Sequence, residues 1–192
     1  MRNRRGPSVL TFIIALVLLI YYVMQGFNKS SSSASVPRPS TSGAATTSGA
    51  VPAFGQQTKT SGCVSVNSLP DPACTPGAII PDATSEQICQ SGYSSTVRNV
   101  PEAIKNDVYR EYGITSHAPG QYEVDHHISL ELGGSNDIAN LWPEPAEPRP
   151  GFHEKDKVEN YLHDQVCNGK MSLQDAQYKI ATNWLAVYQS LP

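Results

Sequence analysis

The spacing of apolar and polar residues after position 62 predicts helices interrupted by one β-hairpin. From Pro101 to Gly113, apolar residues recur at a spacing of four and a glycine ends the run, which predicts a helix. Residues 122–132, YEVDHHISLEL, are rich in β-forming types and alternate in part, which predicts a strand. The following residues predict a turn at GGSND and a short return strand or loop at IANLW.

Two more helices are predicted after this hairpin. Residues 143–151, PEPAEPRPG, contain too much proline for regular structure. Residues 152–169 place their apolar side chains on one stripe and end at Gly169. A last helix opens with Ser172 and Asp175 in capping-box spacing. The predicted order is helix, strand, turn, strand, long loop, helix, helix, which is of the α+β class.

The first 62 residues have a different pattern. Residues 1–27 begin with three arginines and continue with an uncharged apolar run, which predicts an uncleaved membrane anchor or, alternatively, a cleaved signal segment. The arginines precede the run, so the rest of the chain is expected outside the cytoplasm. Residues 28–62 are dominated by Ser, Thr, Gly, Ala and Pro, which predicts a flexible linker. Residues 63–192 would then form one extracytoplasmic domain.

Charge restricts the partners of that domain. All seventeen Asp and Glu follow position 62, together with only eight Lys and Arg, so residues 63–192 are about nine charges negative. Such a field does not attract nucleic acid. A phosphate-binding site on this domain therefore needs a metal ion or a local group of basic side chains.

The four cysteines all lie in the predicted extracytoplasmic domain. They are Cys63, Cys74, Cys89 and Cys167. An even number in an exported domain favours two disulfides, for which three connectivities exist. Proximity in a loop-rich segment favours Cys74 with Cys89, which leaves Cys63 for Cys167.

Candidate chemistry concentrates in residues 123–142, EVDHHISLELGGSNDIANLW. Asp125 and His153 offer a carboxylate and an imidazole to a divalent metal ion. His126 is adjacent to the first of these and can stay unbound as a general base, since its ordinary pKa suits proton abstraction from water at neutral pH. A water, a base and a metal ion suffice to hydrolyse a phosphodiester.

With these residues the chain resembles the HNH endonucleases, which have a ββα-metal fold. The resemblance rests on the Asp-His pair, a Gly-Gly turn at Gly133 and Gly134, the Asn-Leu pair at Asn140, and a later histidine in HEKD. It covers most of residues 69–184. It implies an α+β domain in which a hairpin and a helix form the metal-binding core between flanking helices. It also implies a metal-dependent endonuclease acting on nucleic acid, with DNA expected ahead of RNA as the substrate.

The resemblance also implies residue roles. His126 would be the general base, and Asp125 and His153 would hold the metal ion, for which Mg²⁺, Mn²⁺, Zn²⁺ and Ni²⁺ all fit the ligand types. Asn140 would complete the metal site or hold the hairpin so that His126 points correctly. His127 stands where the family usually has an apolar residue, and it is the alternative base.

Two basic residues and the overall charge of the domain lead to further predictions. Lys155 and Arg98 are candidate phosphate contacts. The acidic charge and the presence of His127 favour a second interpretation, in which a membrane-tethered, disulfide-stabilised binding module keeps the ββα scaffold without catalysis.

Overall fold

The computed structural model of this 192-residue chain describes residues 54–192. The predicted membrane segment, residues 1–27, and most of the predicted linker, residues 28–53, lie outside the described residues. Within the described part, no helix combines the length and the apolar character needed to cross a bilayer.

Helices and one small antiparallel sheet form the described domain, which confirms the α+β class. The helices are α1 (Ser85–Ile88), α2 (Tyr93–Val97), α3 (Glu102–Glu111), α4 (Phe152–Cys167) and α5 (Leu173–Gln189). The two strands are β1 (Tyr122–His126) and β2 (Leu141–Pro145).

The three longer helices begin and end close to the predicted residues. Helix α3 follows Pro101, and Gly113 beyond its end takes the left-handed conformation with φ 69°. Helix α5 begins after Ser172, whose side chain accepts a hydrogen bond from the backbone of Asp175 at 3.0 Å. Apolar spacing together with the residues at the helix ends was therefore sufficient to predict these helices.

The hairpin differs from the prediction at both strands. Strand β1 ends at His126, and residues 127–140 form a connection with two short 3₁₀ turns, Leu130–Leu132 and Ile138–Asn140. Strand β2 extends into the proline-rich segment that was expected to be irregular. Pro143 and Pro145 are two residues apart, so the backbone nitrogens of both point away from β1. A two-stranded sheet tolerates proline at such positions, because no hydrogen bond to the partner strand is lost.

The core lies between this connection and the two C-terminal helices. Ile128 and Leu132 of the connection pack against α4 and α5, with Trp184 of α5 fully buried. A Cβ atom at Gly134 would overlap the carbonyl of Ile128, so the second residue of the Gly-Gly turn has to be glycine. The hairpin connection is thereby anchored to the helices that form the rest of the core.

All four cysteines form disulfides, but the favoured pairing is wrong. The bonds join Cys63 to Cys74 and Cys89 to Cys167. The second bond joins cysteines 78 residues apart in sequence, at the end of α1 and at the end of α4. Only the packing of these two helices brings the cysteines together.

The linker also ends earlier than predicted. Residues 54–62 were assigned to it, yet the backbone of Gly55 donates to Gly77 and that of Thr58 to Ala73. Lys59 is paired with Asp71 at 2.9 Å. These residues therefore belong to the domain.

Candidate functional site

His126 is buried at the end of β1 and held in one orientation by Asn136. Its Nε2 lies 3.2 Å from the Asn136 side-chain oxygen. That oxygen also accepts from the backbone N–H of Asn99 at 3.1 Å, while the Asn136 amide nitrogen donates to Val97 at 2.7 Å. The Asn136 oxygen can only accept, so Nε2 of His126 carries the proton and Nδ1 keeps the lone pair.

The protonation state of His126 follows from its surroundings. Burial lowers the pKa of His126, although the neighbouring Asp125 carboxylate and the hydrogen bond to Asn136 act to raise it. The net direction is downward, so the ring is neutral at neutral pH. A neutral, oriented imidazole with a free lone pair has the state that a general base requires.

Asn140 holds the connection between the strands. Its side-chain oxygen accepts from the backbone of Ile128 at 2.9 Å and of Ala78 at 3.2 Å. Its amide nitrogen donates to Ile128 at 3.0 Å and to Ser135 at 2.9 Å. Asn140 is completely buried and all its side-chain groups are used, so of its two predicted roles the structure favours holding the hairpin over binding a metal.

Lys155 lies beneath β1 and not at the surface, which contradicts its predicted contact with phosphate. Its ammonium group contacts Asp125 at 2.6 Å, the carbonyl of His126 at 2.9 Å and the carboxylate of Glu159, and Glu144 is 3.7 Å away. Its side chain has no exposed surface. Helical spacing places Lys155 on the core side of α4, which the charge of the residue could not reveal.

The carboxylates around Lys155 differ in protonation. Burial acts to raise the pKa of Asp125, but the Lys155 ammonium outweighs this effect and holds that pKa below its usual value. Burial raises the pKa of Glu144 well above its usual value, and neither oxygen of this carboxyl group has a hydrogen-bond partner. The cluster thus contains a close Asp125–Lys155 ion pair with the buried carboxyl group of Glu144 beside it.

A second group of acidic side chains lies outside this buried pair. Glu123 shares a strand face with Asp125, and the exposed His153 and Asp156 are three residues apart on α4. Burial raises the pKa of Glu123 and that of Asp156, and the charge of Asp125 raises both further. The three carboxylates are therefore close enough to repel one another.

The donor chemistry of this outer group fits a divalent cation. Asp125 and Asp156 supply carboxylates and His153 an imidazole, and excess negative charge favours a cation between them. Their ligand atoms do not form a group of three within 4.8 Å in the described chain. Cation binding therefore requires rotation of the exposed His153 and Asp156 side chains.

A different group within residues 54–192 does bring three potential ligand atoms within 4.8 Å of one another. It comprises Cys89, His163 and Cys167, with His163 Nε2 3.4 Å from the sulfur of Cys167. Both sulfurs are joined in a disulfide, which removes the thiolates that a metal would need. This group could hold a metal ion only after reduction.

His127, the alternative base, has a different environment from His126. It is buried behind the hairpin, where it lines a cavity with residues of the 56–76 segment and of α5. Burial lowers the pKa of His127 to about 3, and its Nδ1 has no hydrogen-bond partner. This environment distinguishes it from His126.

A groove borders the His126 face of β1. It has a volume of about 340 Å³, and Arg98 and Lys105 line it together with Tyr109, Tyr122 and Glu123. Arg98 is exposed and follows α2 directly. Its predicted phosphate contact stays a prediction. Lys105 and Tyr109 also line the groove. They were not predicted, because they are distant in sequence from the hairpin.

Asn136 is the most informative residue that sequence analysis missed. It lies in the GGSND turn, where asparagine is common for conformational reasons alone. Its contact with His126 becomes visible only in the folded hairpin.

Comparisons of the chain with protein-family models, with curated proteins and with solved structures give no match.

Proposed function

We propose that this domain is a metal-dependent endonuclease of the HNH type, with His126 as the general base. The observation that carries the proposal is the hydrogen bond from His126 to Asn136, which leaves Nδ1 unprotonated and free to accept a proton from water. Asn136 is a positioning residue, because it determines which nitrogen acts.

Asp125 and His153 would hold the metal ion, with Asp156 as an additional carboxylate. A bound divalent ion supplies charge stabilisation to the phosphate and its leaving oxygen. Asp125 remains ionised because Lys155 stabilises its negative charge. The chain thus keeps a permanent carboxylate next to the base.

The groove beside β1 supports the choice of substrate. Arg98 and Lys105 give it local positive charge on an otherwise acidic domain, and Tyr109 and Tyr122 offer aromatic rings near those cations. Basic groups position phosphates, and aromatic rings stack on unpaired bases. A nucleic-acid strand lying in this groove would pass the face of β1 that carries His126.

The test uses the purified full-length chain with its disulfides formed. After EDTA treatment, Mg²⁺, Mn²⁺, Zn²⁺ and Ni²⁺ are added in turn, and cleavage of plasmid DNA, single-stranded DNA and RNA is followed at low salt. We expect one or more metal ions to restore cleavage. The variant His126→Ala should lose activity by about 100-fold or more, since that is the usual contribution of a general base.

Two additions separate a catalytic from a structural effect. Free imidazole should partly restore cleavage by His126→Ala, and the matched variant His163→Gln, remote from the hairpin, should keep wild-type activity. Equal activity of His126→Ala and the wild type would reject His126 as the base. Absence of cleavage by folded protein with every metal and substrate would reject the nuclease.

A specific observation favours the second candidate, a binding module on an inactive HNH scaffold. Lys155 already neutralises Asp125, and the outer donors are not close enough together to bind a cation without moving. If the folded chain cleaves nothing but binds DNA or RNA in a filter-binding assay, and Arg98→Ala weakens that binding, the groove is a binding site without catalysis.

A further inference from the structure

A cavity on the other side of the hairpin connection has no part in the proposed hydrolysis. Its volume is about 660 Å³, which is within the range of small-molecule sites. Six of the twelve residues around it are apolar, and none of the twelve is Asp, Glu, Lys or Arg; those used below are Val66, Asn67, Leu69 and His127. Such walls suit an uncharged molecule, because an ion would lose its hydration without gaining a counter-charge.

His127 gives this cavity a buried polar side chain. The residue is only 4% exposed, and its backbone N–H donates to the carbonyl of Asn140 at 2.7 Å. Its Nδ1 is buried without a partner. A buried ring nitrogen without a partner is unfavourable in either tautomer, because it is then an unpaired acceptor or an unpaired N–H.

The cavity rim contains a strained turn. Asn67 and Ser68 have φ values of 51° and 57°, in a region that residues other than glycine rarely adopt. The turn is held by the pairing of Val66 with Leu69 and by a hydrogen bond from Trp184 to the carbonyl of Ser68 at 2.9 Å. Strained backbone held by its surroundings is frequent at ligand sites. It is an observation independent of His127.

We propose that this cavity binds an uncharged small molecule that has an apolar part and a hydroxyl group, and that the hydroxyl group hydrogen-bonds to Nδ1 of His127. The ligand's apolar part would lie against Val66 and Leu69. Binding would satisfy the unpaired nitrogen and remove apolar surface from water at the same time.

The probes for this site are p-cresol, which carries a hydroxyl donor, and toluene, which has nearly the same shape without it. The full-length chain is labelled with ¹⁵N in its histidines, and the His127 Nδ1 resonance is followed during titration. We expect a saturable shift with p-cresol and about tenfold weaker binding of toluene, the difference that one hydrogen bond makes.

Paired variants locate the site. Val66 lines the cavity and is 59% exposed, so Val66→Phe narrows the entrance without disturbing the core; Val64, 60% exposed, lies outside the lining. We expect Val66→Phe to weaken p-cresol binding and Val64→Phe to leave it unchanged. Equal effects of the two variants, no saturable shift at His127, or equal affinities for p-cresol and toluene would each overturn the proposal.

Discussion

His126 and His127 are neighbours in the chain but lie in opposite surroundings. His126 is oriented by Asn136 and lies near charged groups, including Asp125 and Arg98. His127 lines a cavity without charged side chains and keeps an unpaired nitrogen. Strand β1 ends at His126 and the connection begins at His127, so the two side chains enter different environments. Residue type alone therefore does not identify which histidine is the base.

The largest expected effect on stability concerns Lys155, which lies beneath β1 on the His126 side of the hairpin. Lys155→Met would leave Asp125 and Glu159 buried without their counter-charge, which we expect to lower the free energy of unfolding by about 4 kcal/mol. Chemical denaturation measures this. The control is Lys157→Met on the same helix, whose side chain is 59% exposed and which should change stability by less than about 0.5 kcal/mol.

A smaller loss of stability is expected at Asn140, which holds the connection between the His126 side and the His127 side of the hairpin. Asn140→Ala removes four hydrogen bonds from the connection and should lower the free energy of unfolding by about 3 kcal/mol. It should also reduce both plasmid cleavage and p-cresol binding. The exposed Asn160→Ala, which loses one local hydrogen bond, is the control. Loss of one function alone would show that Asn140 supports one side only.

The disulfide near the cavity allows the two sides to be separated. Replacing Cys63 and Cys74 by alanine opens a short loop, with an expected cost of about 2.5 kcal/mol. The bond borders the segment that forms the cavity wall, so p-cresol affinity should fall while cleavage by the folded protein is retained. Titration and cleavage assays below the unfolding temperature test this, and a parallel loss of cleavage would contradict the separation.

The smallest effect is a pH dependence. Burial raises the pKa of Glu111, with the hydrogen bond from Gln57 opposing it. A raised carboxyl pKa makes the folded state more stable below the ordinary value, and this contribution is lost as pH rises through the raised one. Glu111→Gln should therefore gain stability relative to wild type with rising pH, by less than about 1 kcal/mol. Urea unfolding at several pH values measures the difference, with the exposed Glu102→Gln as control.

The candidate site was only partly predictable from sequence. The histidine–aspartate pair was visible as an ordered motif, and both lie on β1 as expected. Lys155 was predicted as a candidate phosphate contact, yet α4 directs its side chain under the strand. Asn136 and Lys105 carry no local signal, since their contacts join segments distant in sequence.

The sequence by itself determined the three longer helices, because capping residues, glycines and apolar spacing act within a few residues. It also determined the acidic balance of the domain. Only the tertiary structure decided which cysteines pair, where β1 ends, and which side of the hairpin each histidine serves. These properties depend on contacts between distant segments, whose energies come from packing and burial that no local pattern contains.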